Sequence, residues 1–137
     1  MGFQRHFLKQ DNFILSKASG ELNDQDLMQQ VVSLNRETEG VSDFRELSDC
    51  RDLKSLEKLT VHGTTQCAQA EENRSESLLA ILIADSNLHF GMARAYQMLA
   101  EENRKAVKIF TDLHEALAWL AKDSQEIEVL KNFVNNA

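Results

Sequence analysis

The chain has 137 residues, and its 42% hydrophobic and 27% charged residues are those of one folded domain and not of a disordered chain. A chain of this length buries enough surface to fold without a disulfide or metal staple. Its net charge of -7 repels phosphate backbones and anionic headgroups, so neither nucleic-acid binding nor membrane insertion is expected.

Gln4–Ala18 reads as a hairpin, with Phe7 and Leu8 before the polar turn Gln10-Asp11-Asn12 and Phe13, Ile14 and Leu15 after it. Ser19-Gly20-Glu21 closes the second strand. Asn23 or Asp24 caps a helix whose inward stripe is Leu27, Met28, Val31, Val32, Leu34 and Asn35, and Gly40 ends it. Asp43–Asp49 is a weakly patterned strand, since only Phe44 and Leu47 in it are apolar. A loop or short helical turn is expected over Cys50–Leu59. A helix then runs through Gly63, Cys67 and Ala70 and loses its pattern in Glu71-Glu72-Asn73-Arg74.

The clearest strand is Leu78–Ala84, a continuous apolar run of the kind buried on both faces. Asp85-Ser86-Asn87 starts a helix, and Leu88, Met92, Ala95 and Leu99 recur at helical spacing along one face of it. Ala106–Phe110 is a further strand. Asp112 caps a helix with Glu115 as its capping-box partner and Leu113, Ala116, Leu117 and Leu120 as its stripe. A last helix starts at Asp123 or Ser124 and buries Ile127, Leu130 and Phe133 or Val134. Strands alternating with helices predict an α/β fold, with a largely parallel sheet, an antiparallel N-terminal hairpin and helices packed on it. Residues 1–122 form the domain on this reading, and residues 123–137 are a C-terminal helical extension packed on it or extending from it.

Cys50 and Cys67 match no metal-ligand spacing, and the chain has no proline. The N-terminus lacks the apolar stretch of a signal peptide, and the longest strongly apolar run is far too short to cross a bilayer. A cytoplasmic protein with reduced thiols is therefore expected.

Three stretches carry a family resemblance. They are Ser16-Lys17-Ala18-Ser19-Gly20-Glu21-Leu22, the strand-to-helix passage from Ala84 to Tyr96, and Val107 to Leu120 with its Phe-Thr-Asp-Leu-His-Glu-Ala-Leu-Ala-Trp-Leu ending. With these the chain resembles the STAS, or SpoIIAA-like, family of small bacterial proteins, which includes the anti-sigma-factor antagonists. The resemblance implies a single α/β domain and a regulatory, partner-binding role. Family members of known role carry a phosphorylated serine in an Asp-Ser-Ser-Gly type motif at a helix start. The equivalent region here is Leu56-Glu57-Lys58-Leu59-Thr60, which lacks the serine pair; Ser55 and Thr60 are the nearby hydroxyls. The similar fold of lipid-carrying Sec14-type domains implies a small apolar ligand as a second function.

Read from the residues, the candidate contact rim joins Asp49, Cys50, Arg51 and Asp52 to Asp85, Ser86, Asn87 and His89. Both groups fall at strand ends, and in open α/β sheets ligands favour the carboxyl ends of strands. The alternative is plain capping by Asp85 or Ser86 and a solvated Arg–Asp loop. Met92, Tyr96 and Trp119 are candidates for an adaptable apolar pocket, or plain core. His62, His89 and His114 do not share ligand spacing, so neither a metal nor another cofactor is expected. No nucleophile motif supports catalysis, so the chain is expected not to be an enzyme. A homodimer is open through the Asp43–Asp49 strand or the Asp123–Ala137 helix.

Overall fold

The computed structural model describes residues 2–137. Its elements are β1 (Gly2–Leu8), a 3-10 turn (Lys9–Asp11), β2 (Phe13–Glu21), α1 (Asp24–Glu37), β3 (Arg45–Ser55) and α2 (Val61–Gln69). They continue with β4 (Leu78–Leu82), α3 (Asn87–Ala100), β5 (Ala106–Phe110), α4 (Leu113–Leu120) and α5 (Ser124–Asn135). The five strands lie in one sheet in chain order. β1 pairs antiparallel with β2, and β2 through β5 run parallel. The strand-helix alternation and the leading hairpin are as the sequence predicts.

Each parallel crossover moves one strand in the same direction. Crossovers of one hand then place α1, α2 and α3 on one face of the sheet, and α4 and α5 cover the other. Alternating side chains divide accordingly. Ala80, Leu82 and Phe110 join Phe13, Leu15 and Leu47 in a continuous apolar core with Leu117, Leu120, Leu130 and Val134 of α4 and α5. Leu79, Ile81, Ile83 and Val107 face the other way, onto Ala93 and Ala100 of α3. β4 is thus buried on both sides, as its unbroken apolar run requires.

α5 is part of the core. Leu130 is completely buried, and the Phe133 ring meets Phe13 edge-on at 6.0 Å between centroids. Arg45 fixes this corner, with Nη1 donating to the Leu120 carbonyl at 3.0 Å and Nη2 to Glu126 at 3.0 Å and to the Asp11 carbonyl. One guanidinium therefore ties the hairpin turn, the end of α4 and the first turn of α5 to the start of β3.

The opposite face is divided by buried polar groups. Glu46 on β3 accepts from Arg104 Nη2 at 2.9 Å and from the Ser16 hydroxyl at 2.8 Å. Gln30 of α1 donates to Ser16 at 3.2 Å and accepts from Arg5, whose Nε donates to Glu37 at 2.6 Å. Arg104 also lies over the Phe44 ring, 5.6 Å from its centroid. Burial pushes the Glu46 carboxyl up, but the Arg104 and Arg74 charges and the Ser16 and Arg104 hydrogen bonds outweigh it, leaving it below the ordinary carboxylate range.

Three expectations are corrected. The Asp43–Asp49 strand and Cys50–Leu59 loop give way to one long strand, β3, running to Ser55 in the middle of the sheet. A central strand has no free edge, so it cannot pair edge-to-edge with a second copy. The inward face of α3 is rotated from Leu88, Met92, Ala95 and Leu99. Ala93 and Ala100 are buried against the sheet, whereas Leu88 and Ala95 are exposed, because small residues let the helix approach closely. Similarly, Val32 of α1 is exposed while Leu27, Val31 and Leu34 form the buried stripe.

Leu130→Ala is expected to cost about 2–5 kcal/mol in urea unfolding, the range for a core leucine and not for a frayed appendage. Glu46→Gln is expected to cost about 3–5 kcal/mol, because it leaves Arg104 buried without its counter-charge. The Glu46 carboxyl titrates below its unfolded value. Its stabilisation is therefore in place above the ordinary carboxylate range and is lost as pH falls through the lowered value. The variant should accordingly show a flatter acid limb in a plot of stability against pH.

Candidate functional site

Because β2 through β5 are parallel, α1, α2, α3 and α4 all begin at the same edge of the sheet. Each is closed by a polar cap. Asn23 forms a reciprocal capping box with Asp26, and the side chains of Thr60, Ser86 and Asp112 accept from the Gly63, His89 and Glu115 amides. The predicted box between Asp112 and Glu115 is present as its first half.

His89 ties the predicted Asp85–His89 segment to β3 at Leu53, one residue beyond the predicted Asp49–Asp52 segment. Its Nε2 lies 3.0 Å from the Leu53 carbonyl, which can only accept, so Nε2 carries the proton. In the neutral ring Nδ1 is then an acceptor for the Ser86 hydroxyl, 2.7 Å away. Ser86 also accepts from the His89 amide at 3.1 Å. The serine and histidine therefore form an extended cap that pins α3 to β3. Asp85 and Asn87 are exposed beside it.

Asp49, Cys50, Arg51 and Asp52 lie within β3 and not in a loop after it, and they do not form one cluster. Lys17 pairs with Asp49 and Ser19 with Asp52, so β3 carries an extra residue there, a bulge. The bulge turns the neighbours apart. Asp49 is buried and accepts from Arg51 Nε at 2.9 Å and Nη2 at 2.8 Å, a bidentate pair. Cys50 packs into the clusters under α3, where burial pushes its thiol up to about 11. Asp52 is exposed.

A second clamp on this edge was not predicted. Asp24, the first residue of α1, accepts from the Thr60 amide at 2.8 Å and from the Thr60 hydroxyl at 2.7 Å. These bonds hold its carboxyl below the ordinary range. A Cβ on Gly63 would lie 2.2 Å from the Asp24 carboxylate, so glycine is what lets that carboxylate sit over the first turn of α2. Thr60 was legible as a hydroxyl near a helix start; its partner, 36 residues earlier in the chain, was not. Ser55, the other predicted hydroxyl, accepts from the Glu57 amide at 3.1 Å, and Lys58 pairs with Glu21 at 3.0 Å.

Beside the exposed polar residues, three large apolar side chains are uncovered on this edge. Val61 in the first turn of α2 is 87% exposed, and Leu88 and Phe90 in the first turn of α3 are 57% and 38% exposed. Phe90 also walls an open groove of about 520 Å³ along β5, opposite Trp119. Met92, Tyr96 and Trp119 do not share a pocket. Met92 and Tyr96 belong to the α3 side, whereas Trp119 lies on the other face, its ring 5.7 Å from that of Phe110. The Tyr96 hydroxyl instead points to Glu71 at 3.4 Å. His62 and His114 are exposed, and among the described residues no three His, Cys, Asp or Glu side chains converge as a metal site. No helix among them is long and apolar enough to cross a membrane.

No protein-family model matches the chain, and no curated protein matches it. A solved structure does: an uncharacterised protein of the DUF3478 family from Shewanella loihica PV-4, which has a SpoIIAA-like fold. It is 20% identical, with a TM-score of 0.58 over 87% of this chain and 92% of that one. The fold is SpoIIAA-like: an α/β domain with a mixed five-stranded sheet, an antiparallel N-terminal hairpin and five α-helices.

At pH 8 a thiol that titrates near 11 is only ~0.1% thiolate. In the folded protein Cys50 should therefore react with a disulfide reagent far more slowly than a free cysteine, and its rate should rise steeply with pH or on unfolding. The Asp24 carboxyl should titrate below its ordinary range by NMR, and Thr60→Val should return it toward that range.

Proposed function

We propose that the chain is a non-enzymatic protein-docking module that uses the carboxyl edge of its sheet. The observation that carries this reading is the exposure of Val61 and Leu88 at the starts of two adjacent helices, with Phe90 beside them. Large apolar side chains grouped at one rim are the composition of an interface centre. The polar groups around them have internal partners: Thr60 holds Asp24, Ser86 holds His89, and Arg51 holds Asp49. Their chemistry is consumed in shaping the surface, and a protonated Cys50 supplies no nucleophile. The SpoIIAA-like fold adds an analogy with regulatory docking proteins, and analogy of fold alone does not assign a role. A second copy of the chain is one partner this surface admits.

The groove between Phe90 and Trp119 favours a second reading, in which a small apolar or amphipathic ligand lies along β5. The Lys108 ammonium, 5.4 Å from the Phe110 ring centroid, would then face the polar end of the ligand.

Affinity capture from the native cell separates the readings. A protein partner should co-purify with the wild type and with Val129→Glu, a change at an exposed residue of α5. Val61→Glu combined with Leu88→Glu should weaken that capture by about tenfold or more. Retention by the double variant, or recovery of a lipid or metabolite in place of a protein, would overturn docking through this edge.

A further inference from the structure

At the opposite end of the sheet, Glu71 follows α2, Arg74 lies in the loop after it, and Arg104 lies between α3 and β5. Their side chains are 3%, 2% and 1% exposed. Part of each is satisfied. Arg104 Nη2 donates to Glu46 at 2.9 Å, Arg74 Nη1 donates to the Glu72 carbonyl at 2.6 Å and to Asn35, and Glu71 Oε2 accepts from Tyr96 at 3.4 Å. Four atoms of the cluster are buried without a hydrogen-bonding partner among the described residues: Glu71 Oε1, Arg74 Nε, and Arg104 Nε and Nη1.

Their spacing is informative. Glu71 Oε1 lies 3.6 Å from Arg74 Nε and 3.9 Å from Arg104 Nε. Charge-assisted hydrogen bonds close to roughly 2.7–2.9 Å, so neither contact is direct. An oxygen about 2.8 Å from both members of either pair would bridge them at an angle of about 80–90°, compressed from the tetrahedral value. Buried polar groups in native proteins are paired with protein or with ordered water, and a buried water usually makes about three hydrogen bonds.

We propose that Glu71, Arg74 and Arg104 bind an internal water molecule that accepts from both arginine Nε–H groups and donates to Glu71 Oε1. The charges select water over an ion. Glu46 and Glu71 already balance Arg74 and Arg104, so an added anion would face an uncompensated carboxylate and an added cation would face two guanidiniums. The water joins the end of α2 and the α3–β5 loop to the sheet through an exchangeable molecule. This site is independent of the docking edge and can be tested without a partner.

The test is NMR of the ¹⁵N-labelled wild-type chain, reading the Nε–H groups of Arg74 and Arg104 for magnetisation transfer to water. Water-to-Hε cross-peaks on both arginines, of the sign of a long-lived bound water, are expected. An ordered water within hydrogen-bond distance of the three atoms, in a crystal structure near ~1.2 Å resolution, would give the same answer. Slowly exchanging Hε protons without water cross-peaks, or Glu71 Oε1 in direct contact with either Nε, would overturn the proposal. Anomalous density at the site after a bromide soak would also overturn it, by showing an anion there.

Discussion

Glu46 stands on the central strand of the sheet, 3% exposed, with its carboxylate shared between Arg104 and Ser16. An ionised carboxylate in that position is tolerated only when it is fully hydrogen-bonded and paired, and this condition propagates outward. Arg104 must be delivered by the turn that leads into β5, and Ser16 must lie on β2 diagonally across from Glu46, two residues beyond Ile14, which faces it in register. The Lys105 amide donates to the Ser77 carbonyl, which brings that turn against the start of β4. From Ser16 the same network runs through Gln30 to Arg5 and Glu37, joining β1 and α1 to the pair. Removing one partner would strand the next, so the pair sets how the first three helices and the loops around them close on the sheet.

The two faces therefore follow different physics. Under α4 and α5 the contacts are apolar and non-directional, and the cluster from Phe13 to Val134 is continuous. Under α1, α2 and α3 the apolar residues fall into separate groups around Leu34, Leu53, Cys67 and Ala93, with the polar network between them. Such a layer is located by hydrogen-bond geometry, which fixes register more tightly than dispersion does. Arg45 makes the complementary arrangement on the other side. There a single buried guanidinium anchors the rim of a core that is otherwise apolar.

The difference between the faces explains what the sequence disclosed. Leu78–Leu82 was legible because a strand buried on both sides needs no polar residue, and the caps at Asn23, Ser86, Asp112 and Asp123 were legible because capping is local. β3 was the weak strand for the opposite reason. Arg45, Glu46, Ser48 and Asp49 are all buried in it, so its pattern resembles that of an exposed segment. Their partners come from α5, the α3–β5 loop and a neighbour two residues along, and no local rule points to the distant ones. The bulge at Cys50 and Arg51 further hid the strand's continuation by breaking the alternation. Of the site, the meeting of the Asp85–His89 segment with the end of β3 followed from topology. The Asp24–Thr60 clamp and the exposure of Val61 depended on how α1 and α2 lean together, which spacing along the chain does not encode.

The parallel order also decides what the carboxyl edge offers a partner. Four helix N-termini gathered on one edge would ordinarily invite an anion, since their first amides are unpaired and the dipoles add. Here the chain supplies its own acceptors. Asn23, Thr60, Ser86 and Asp112 each take an amide, and Asp24 places a carboxylate over the start of α2. Asp52, Asp85 and Asp112 add exposed negative charge nearby. The helix ends are therefore satisfied before any ligand arrives, and an incoming phosphate would meet carboxylates. What the edge still gains by burial is apolar area, at Val61, Leu88 and Phe90. On the proposed docking reading, an apolar centre beside these carboxylates would suit a partner with basic residues at its margin, because opposite charge at a rim chiefly speeds encounter while the apolar centre holds the complex.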